Sequence, residues 1–238
     1  MFESFLQQLQ RNTTILTLRY FILSGISFLL FYFIFKKFFH KHKIQSKYPS
    51  KHENGREIFY SVITSLVFAL VFTIVTTYLQ PYTLIYKSGE YSMIPVWLSY
   101  ILMILIHDTY FYWTHRLIHK KVLFRKVHLI HHKSTNPSPW TSYAFHPYEA
   151  LIQAMIIPII AFTIPVQKSA FILYFILQFL HNIYGHLGYE LFPKFITNTT
   201  LGKLLNTSTY HNKHHSNFHG NYGLYFTIWD RIMKTNKD

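Results

Sequence analysis

The sequence predicts an all-α integral membrane protein with about four transmembrane helices, paired as hairpins, and a helical cap lined by histidines on the cytoplasmic side. Composition supports this fold class, because half of the 238 residues are apolar and only 13% are charged, against about 25% in soluble domains. The other supporting observations are several long uncharged stretches and the alternation of basic and non-basic segments between them.

Three uncharged stretches approach or exceed the roughly 20 residues that a helix needs to cross a bilayer. They comprise 16 residues at 20–35, 23 residues at 58–80 and 16 residues at 91–106. The first becomes longer if the side chain of Arg19 extends along the helix to the membrane surface. Because no small-residue cleavage site follows it, we expect a retained anchor and not a signal peptide.

Two shorter apolar stretches follow at 150–166 and 169–180. Pro165, Gln167 and Lys168 separate them, and such a combination is typical of a turn. These stretches therefore predict a helical hairpin that is either re-entrant or weakly spanning.

The charges predict one orientation. Lys and Arg number seven in 36–56, six in 114–149 and six in 187–238, whereas 81–90 holds only one. Because basic segments stay on the cytoplasmic side, these three segments are expected there. The 81–90 loop and the tip of the hairpin at 165–168 are then expected on the opposite side.

The polar linker at 36–57 joins the first two spans, and we expect Pro49 and Gly55 to break helix there. The chain accordingly divides into a membrane region with a basic linker, 1–90, and a second domain, 91–238. The formal charge of +14 is explained by topology and attraction to anionic lipid. No basic patch lies on a soluble fold, so we predict no nucleic-acid partner.

The chain contains 16 histidines and no cysteine, which excludes disulfides, thiolate zinc sites and cysteine-ligated iron–sulfur clusters. Thirteen of the histidines fall between His107 and His219. Neutral imidazole is a common metal ligand that suits iron, zinc and copper. The spacing of these histidines therefore decides whether they form a metal site.

The spacing is that of helix faces. His115 and His119 are four residues apart and share one face, with Asp108 and Tyr112 on the same stripe and His107 about 100° away. The pattern HxxHH then occurs twice, and each copy can serve two metals with its adjacent pair straddling them. The two copies are His128, His131, His132 and His211, His214, His215.

Other histidines are less regular. His186 lies four residues after Asn182 near Gly185, which allows a bend, and we interpret it as a ligand. His181 is left open as a ligand. His146 precedes a helix start, where a structural or ligand-supporting role is favoured.

These motifs resemble the fatty acid hydroxylase/sterol desaturase superfamily of integral-membrane, non-haem di-iron oxygenases. The resemblance covers about residues 95–235, and it departs at Lys234, where the family often has glycine. The matching segments are Asp108-Thr-Tyr-Phe-Tyr-Trp-Thr-His115-Arg116-Leu-Ile-His119, His128-Leu-Ile-His131-His132-Lys-Ser, Ala144-Phe-His146-Pro147-Tyr-Glu149, Gly185-His186-Leu-Gly-Tyr-Glu190, His211-Asn-Lys-His214-His215, Asn221-Tyr222-Gly223 and Trp229-Asp230-Arg231.

The resemblance implies a cytoplasmic site for two non-haem iron ions, with O₂ as co-substrate and no catalytic residue beyond the metal ligands. The implied ligands are His115, His119, His128, His131, His132, His186, His211, His214 and His215, with His181 possible. Residues expected to support the ligands and fix imidazole tautomers are Asp108, Tyr112, His146, Glu149, Asn182 and Glu190.

The implied activity is O₂-dependent oxidation of a C–H bond in a membrane lipid, either sterol-like or fatty acyl. Hydroxylation is favoured over desaturation. The sequence has no GxGxxG and no cysteine cluster, so an external donor resembling cytochrome b₅ or ferredoxin is expected. The alternative is a histidine-rich membrane protein that binds or transports metal. It is disfavoured because the clusters follow the spans instead of interrupting them.

Overall fold

The computed structural model describes residues 2–87, 89 and 94–237, and these are mostly helical, which confirms the predicted helical class. The predicted domain boundary at 90/91 and the first residues of the 91–106 stretch lie outside the described residues. The α-helices are α1 Phe2–Leu29, α2 Lys51–Thr77, α3 Val96–Ile118, α4 Lys121–Leu123, α5 Leu129–His132, α6 Pro147–Ala154, α7 Ile156–Thr163, α8 Lys168–Gly185, α9 Lys194–Thr197, α10 Ser208–Asn217 and α11 Ile228–Ile232.

Shorter elements connect these helices. Two strands of two residues each, β1 Ile85–Tyr86 and β2 Val166–Gln167, form a parallel pair. Wider π-type turns and tight 3₁₀ turns occupy other connections. The π-type turns are Leu30–Ile34 and Phe124–His128, and the 3₁₀ turns are His40–His42, Gln80–Tyr82, Pro139–Tyr143 and Gly202–Leu204.

Two helices in the described residues are long and apolar enough to cross a membrane, by length and composition. They span Ser4–Ile34, with 31 residues, and Lys51–Thr77, with 27 residues. Together α6 and α7 form a shorter apolar helical segment, Pro147–Thr163. The N-terminal pair is therefore the part of the fold with the clearest membrane character.

The start of α2 corrects one expectation, because Gly55 lies inside this helix and does not break it. The side chain of Ser50 accepts a hydrogen bond from the Glu53 N–H, and the Glu53 carboxylate accepts one from the Ser50 N–H. Such a capping box stabilises a helix start by about 1 kcal/mol, which offsets the cost of about 1 kcal/mol for an internal glycine.

The contact between α1 and α2 is partly polar, and the outer faces of the long helices are apolar. In the interior the Asn12 amide donates to the Thr73 hydroxyl at 2.9 Å, and Thr77 donates to Gln8 at 2.6 Å. Small and polar residues at helix contacts with apolar residues outside are typical of membrane helices. Exposed apolar side chains at helical spacing include Leu18, Ile22, Ile26 and Leu29 of α1, Phe59, Leu66 and Leu70 of α2, and Trp97, Ile101 and Leu105 of α3.

The helices give the bundle two distinct ends. The strand pair, with Ile85 opposite Val166, brings residues 81–87 and the 165–168 tip together at one end. From this end α3 and α8 extend about 34 and 27 Å toward the histidines, given a rise of about 1.5 Å per residue. At the histidine end Gln45 of the basic linker donates to Asn212 of α10 at 2.8 Å. The basic segments thus gather at the end opposite the strand pair.

Candidate metal centre

Nine histidines from four parts of the chain converge into two buried clusters at this end of the bundle. Within each cluster, the ring nitrogens that could bind an ion all lie within 4.8 Å of one another. The first cluster, called cluster A, contains His115, His119, His128, His132 and His214. The second, called cluster B, contains His131, His186, His211 and His215.

Local helical geometry distributes the histidines between the clusters. The i, i+4 pair at the end of α3 brings both His115 and His119 to cluster A. Adjacent residues on a helix diverge by about 100°. Accordingly α5 sends His131 to cluster B and His132 to cluster A, and α10 divides its adjacent pair in the same way. Both HxxHH motifs therefore contribute to both clusters.

The Nε2 atoms of neighbouring rings face each other at short distances. In cluster A the Nε2 atom of His132 lies 3.1 Å from that of His119 and 3.0 Å from that of His214. In cluster B the Nε2 atom of His186 lies 3.0 Å from that of His211 and 3.2 Å from that of His215. Each cluster thus has a centre surrounded by imidazole nitrogens.

Main-chain carbonyls set the tautomer of several rings. The Nδ1–H groups of His115, His214 and His215 donate to the carbonyls of Tyr222, Gly220 and Ser134 at 2.7–3.0 Å. His186 donates in the same way to Asn182 O at 2.8 Å. A ring that carries its proton on Nδ1 presents a lone pair at Nε2, and this arrangement is usual for histidine ligands.

Protonation is disfavoured throughout both clusters. Burial lowers the pKa of the eight imidazoles that lie outside α3, and the neighbouring rings lower it further in most of them. For His186 the pKa falls to about 4. The rings are therefore neutral at pH 7, which is the form that binds metal.

These clusters fit metal ions better than they fit hydrogen bonding among themselves. His186 and His215 both donate from Nδ1, so their Nε2 lone pairs face each other at 3.2 Å with no proton between them. A cation removes this repulsion. Two nitrogens each about 2.1 Å from one ion lie roughly 3.0–3.4 Å apart, which matches the observed spacings. The all-nitrogen donor set suits iron, zinc or copper.

Among the described residues, Glu149 of α6 is the acid whose side chain forms a hydrogen bond with a histidine of either cluster. Its Oε1 accepts from Nδ1 of His128 at 2.7 Å, and the carboxyl group is almost completely buried. Of the other predicted supporting residues, Asn182 reaches a cluster through its main-chain oxygen, which accepts from His186.

The remaining predicted supporting residues hold the backbone around the clusters. Asp108 accepts from the N–H groups of Tyr225 and Phe226, and Glu190 accepts from those of Phe192 and Thr209. The Tyr112 hydroxyl bonds to Thr235 at 3.0 Å, and His146 caps α6 by accepting from the Tyr148 N–H. The structure places none of these four side chains against a cluster imidazole within the described residues.

His181, which the sequence left open as a ligand, and His107, a weaker candidate because of its angle, lie outside both clusters. Nε2 of His181 bonds to the Leu224 carbonyl at 2.9 Å, so this nitrogen faces the backbone. Nδ1 of His107 lies 2.9 Å from the Tyr174 hydroxyl and 3.3 Å from that of Tyr225. His181 nevertheless contributes to the wall of the chamber beside the clusters.

Sequence reasoning missed several residues that support the clusters. Asp230 accepts from the N–H groups of Tyr222 and Gly223 at 2.9 and 2.8 Å, which fixes the turn whose carbonyl binds His115. Glu57 is buried on α2 and accepts from the Ser134 hydroxyl at 2.6 Å, next to the carbonyl that binds His215. In the sequence, the position of Glu57 directly before the uncharged stretch 58–80 could have indicated a buried acid.

A small apolar chamber of about 30 Å³ adjoins both clusters. Rings of both clusters line it together with Phe111, Phe145, Glu149, His181 and Leu224. A second space of about 20 Å³ shares Phe111, Phe145, Asn182 and Leu224 with it. The clusters thus border an apolar interior that extends toward the apolar helices.

Comparisons with known proteins relate residues 100–235 to fatty acid hydroxylases and sterol desaturases. Residues 100–235 match the model of the fatty acid hydroxylase family. The Delta(7)-sterol 5(6)-desaturase ERG3A of Gibberella zeae is 34% identical over 134 residues, which are 56% of this chain and 36% of that protein. Lathosterol oxidase of Homo sapiens is 33% identical over 142 residues, 60% of this chain and 46% of that protein.

Lathosterol oxidase of Mus musculus is 31% identical over 157 residues, which are 65% of this chain and 51% of that protein. The chain therefore spans about a third to a half of the length of these curated relatives. No solved structure matches the chain.

Proposed function

The chain belongs to the fatty acid hydroxylase family, and from this premise we propose that it is a membrane oxidoreductase that oxidises a C–H bond of a lipid with O₂. The observation that carries the proposal is the pair of buried, all-nitrogen histidine clusters beside an apolar chamber. Such a site combines a strong metal donor set with a mostly apolar wall beside it.

The proposed cofactor is a pair of non-haem iron ions, one in each cluster. The ligands would be His115, His119, His128, His132 and His214 for one ion, and His131, His186, His211 and His215 for the other. Iron bound there would supply the activation of O₂ that oxidation of an unactivated C–H bond requires.

The protein's own groups orient and shield this centre. Main-chain carbonyls and Glu149 accept from Nδ1 in five of the nine rings, so that the Nε2 lone pairs of these five point inward. Phe111, Phe145 and Leu224 give the chamber apolar wall surface and limit its size to about one water molecule. Exclusion of water protects reactive species from side reactions and strengthens electrostatic interactions inside the site.

We further propose that the bundle is embedded in a membrane with the histidine end in the cytoplasm. Helices α1, α2 and α3 would cross the membrane, and α6–α8 would form the fourth, hairpin element. The exposed apolar surfaces of these helices support this placement, because such surfaces are costly in water. The basic segments at the histidine end support the orientation.

The substrate would be sterol-like or fatty acyl, and the reaction hydroxylation or desaturation. Relatives named as sterol desaturases favour desaturation of a sterol-like lipid. Electrons would come from an external protein resembling cytochrome b₅ or ferredoxin. An acidic donor of this kind could dock on the basic histidine end, since complementary charge accelerates encounter.

The proposal is tested by purifying the protein anaerobically after expression with abundant iron. The iron content of the protein is measured first. The protein is then incubated with lipid extracts, O₂ and a chemical reductant, and the lipids are analysed by mass spectrometry. We expect iron in both clusters and an oxidised or desaturated lipid that forms only with O₂. Iron-free protein, or metal flux across proteoliposomes without a lipid product, would favour the transport alternative.

A further inference from the structure

A partly open cavity of about 380 Å³ lies between α1, α2, α7 and α8. Its walls are mostly apolar, with Ile15, Leu16, Phe72 and Ile176 among them. Three basic side chains also line it, and no acid does. These are Arg11, Arg19 and Lys168. We refer to this space as the cationic cavity.

Arg19 is the deepest of the three cations and has no carboxylate partner within the described residues. Its guanidinium donates to the Tyr143 hydroxyl at 2.9 Å and to the Phe175 carbonyl at 3.4 Å, and it lies 5.0 Å above the Phe179 ring. Its Nε is buried without a hydrogen-bond acceptor in the described structure. The side chain points into the bundle, so it does not extend to the membrane surface.

An unpaired cation in this position is unfavourable without an anion. Charged side chains within membrane segments usually face an interior or a cavity, where they pair with other groups and mark a functional site. Neutral acceptors such as Tyr143 satisfy only part of the guanidinium, which has five donors in a fork that matches carboxylate or phosphate. The cavity therefore has a preformed place for an anionic group.

The cationic cavity leads toward the clusters. It shares Phe68, Tyr143 and Phe175 with the space of about 20 Å³, which in turn adjoins the histidine chamber. Along α8, Phe175 and His186 are about 16 Å apart at the helical rise. One lipid tail spans about 15 Å, which is half of the hydrocarbon core. A single tail held by its head at Arg19 is thus long enough to reach the clusters, and it would enter the two small spaces only if their lining side chains moved apart.

We propose that the cationic cavity binds an anionic single-chain lipid with its carboxylate or phosphate on Arg19 and its tail directed to the clusters. Arg11 and Lys168, which are exposed at the mouth, attract the anion. This inference rests on the proposed function, because it names the class of lipid that the proposed oxidation would act on. Nine of the lining residues lie before residue 100, outside the family match, so the substrates of the relatives do not decide this question.

Binding of radiolabelled oleate to the purified protein in neutral nanodiscs tests the proposal, with and without iron. Unlabelled oleate, oleoyl lysophosphatidate, oleyl alcohol and inorganic phosphate serve as competitors. We expect oleyl alcohol to compete at least about tenfold less well than the better anionic lipid, because a charge-assisted hydrogen bond contributes about that factor. The better of the two anionic lipids identifies the head group, and free phosphate should not compete.

Arg19→Gln should lower oleate affinity about tenfold, and Arg19→Lys should restore part of it. Lys121→Gln is the matched control, because it removes one exposed positive charge at the histidine end. Lys168→Ala, at an exposed position, should weaken binding chiefly at low salt. Retention of each variant's helical circular dichroism confirms its fold.

Equal affinity for oleate and oleyl alcohol, or an Arg19→Gln variant that binds oleate like the parent, would overturn the proposal. Binding is measured without turnover, so it does not depend on the proposed oxidation. If anionic lipid binds but no lipid is oxidised, the proposed function fails alone. If iron and O₂-dependent oxidation persist without anion preference, this inference fails alone.

Discussion

Replacement of Glu149 tests how far one buried carboxylate supports the metal centre. The carboxyl group is about 1% exposed, and its Oε1 lies 2.7 Å from Nδ1 of His128. Glu149→Gln keeps an oxygen acceptor of the same size and replaces the ionisable carboxyl group with a neutral amide. Glu149→Ala removes the acceptor, which leaves a buried N–H without a partner and the ring of His128 free to turn.

Outer partners of histidine ligands typically contribute 10- to 100-fold in metal affinity, which corresponds to about 1.4–2.7 kcal/mol. We therefore expect about a tenfold loss of iron affinity in Glu149→Gln and about a hundredfold loss in Glu149→Ala. The loss should be larger at cluster A, which contains His128, than at cluster B.

The assay is equilibrium competition for iron with a series of chelators, read as iron per chain. Glu53→Gln is the matched control, because it makes the same chemical change in the capping box of α2, where no imidazole is bonded. Wild-type affinity in both Glu149 variants would refute the argument that this carboxylate holds His128 for a metal.

Four further results are expected. His132→Ala and His186→Ala should each halve the bound iron, measured by elemental analysis, because each ring belongs to a different cluster. Glu57→Ala should lower the free energy of unfolding by about 3 kcal/mol in denaturant melts, because it leaves the buried Ser134 and Ser138 hydroxyls without their acceptor. Lys234→Gly should raise the melting temperature by the equivalent of about 1 kcal/mol, because Lys234 has a φ of 55°. The metal-free protein should lose stability in thermal scans as the pH falls from about 6.5 through about 4. In the unfolded chain the imidazole of His186 is exposed and binds a proton over that range. In the folded protein burial lowers its pKa to about 4, so it stays neutral and folding becomes less favourable.

The histidine pattern could be predicted because it is local. Spacing of four residues places His115 and His119 on one helix face, and the HxxHH motif sends adjacent rings in different directions. These relations depend only on the helical rise and turn. They needed no knowledge of which helices meet.

The partners of the rings could not be predicted, because they depend on tertiary packing. The carbonyl that binds His215 belongs to Ser134, which lies 81 residues away in the chain. The bond uses the main-chain oxygen, so the identity of the side chain does not predict it. Glu57 reaches the same loop from α2, at a separation of 77 residues. Main-chain acceptors of this kind leave no residue-type signal in a single sequence.

Arg19 shows a second limit. A cation within an apolar helix can extend to the membrane surface or turn inward, and both choices are compatible with the local sequence. The inward position follows from Tyr143 and Phe175, which come from distant segments. The direction of a long side chain is therefore decided by its neighbours in the bundle.

The division of α5 and α10 between two clusters has a consequence for assembly. An ion in cluster A fixes the rotation of the helix segments that also carry His131, His211 and His215 of cluster B. Binding of the first ion therefore carries the entropic cost of ordering the shared helices. The second ion does not carry this cost again, so it binds more tightly than the first. Iron uptake should accordingly be cooperative, and a chain holding a single ion should be rare during loading.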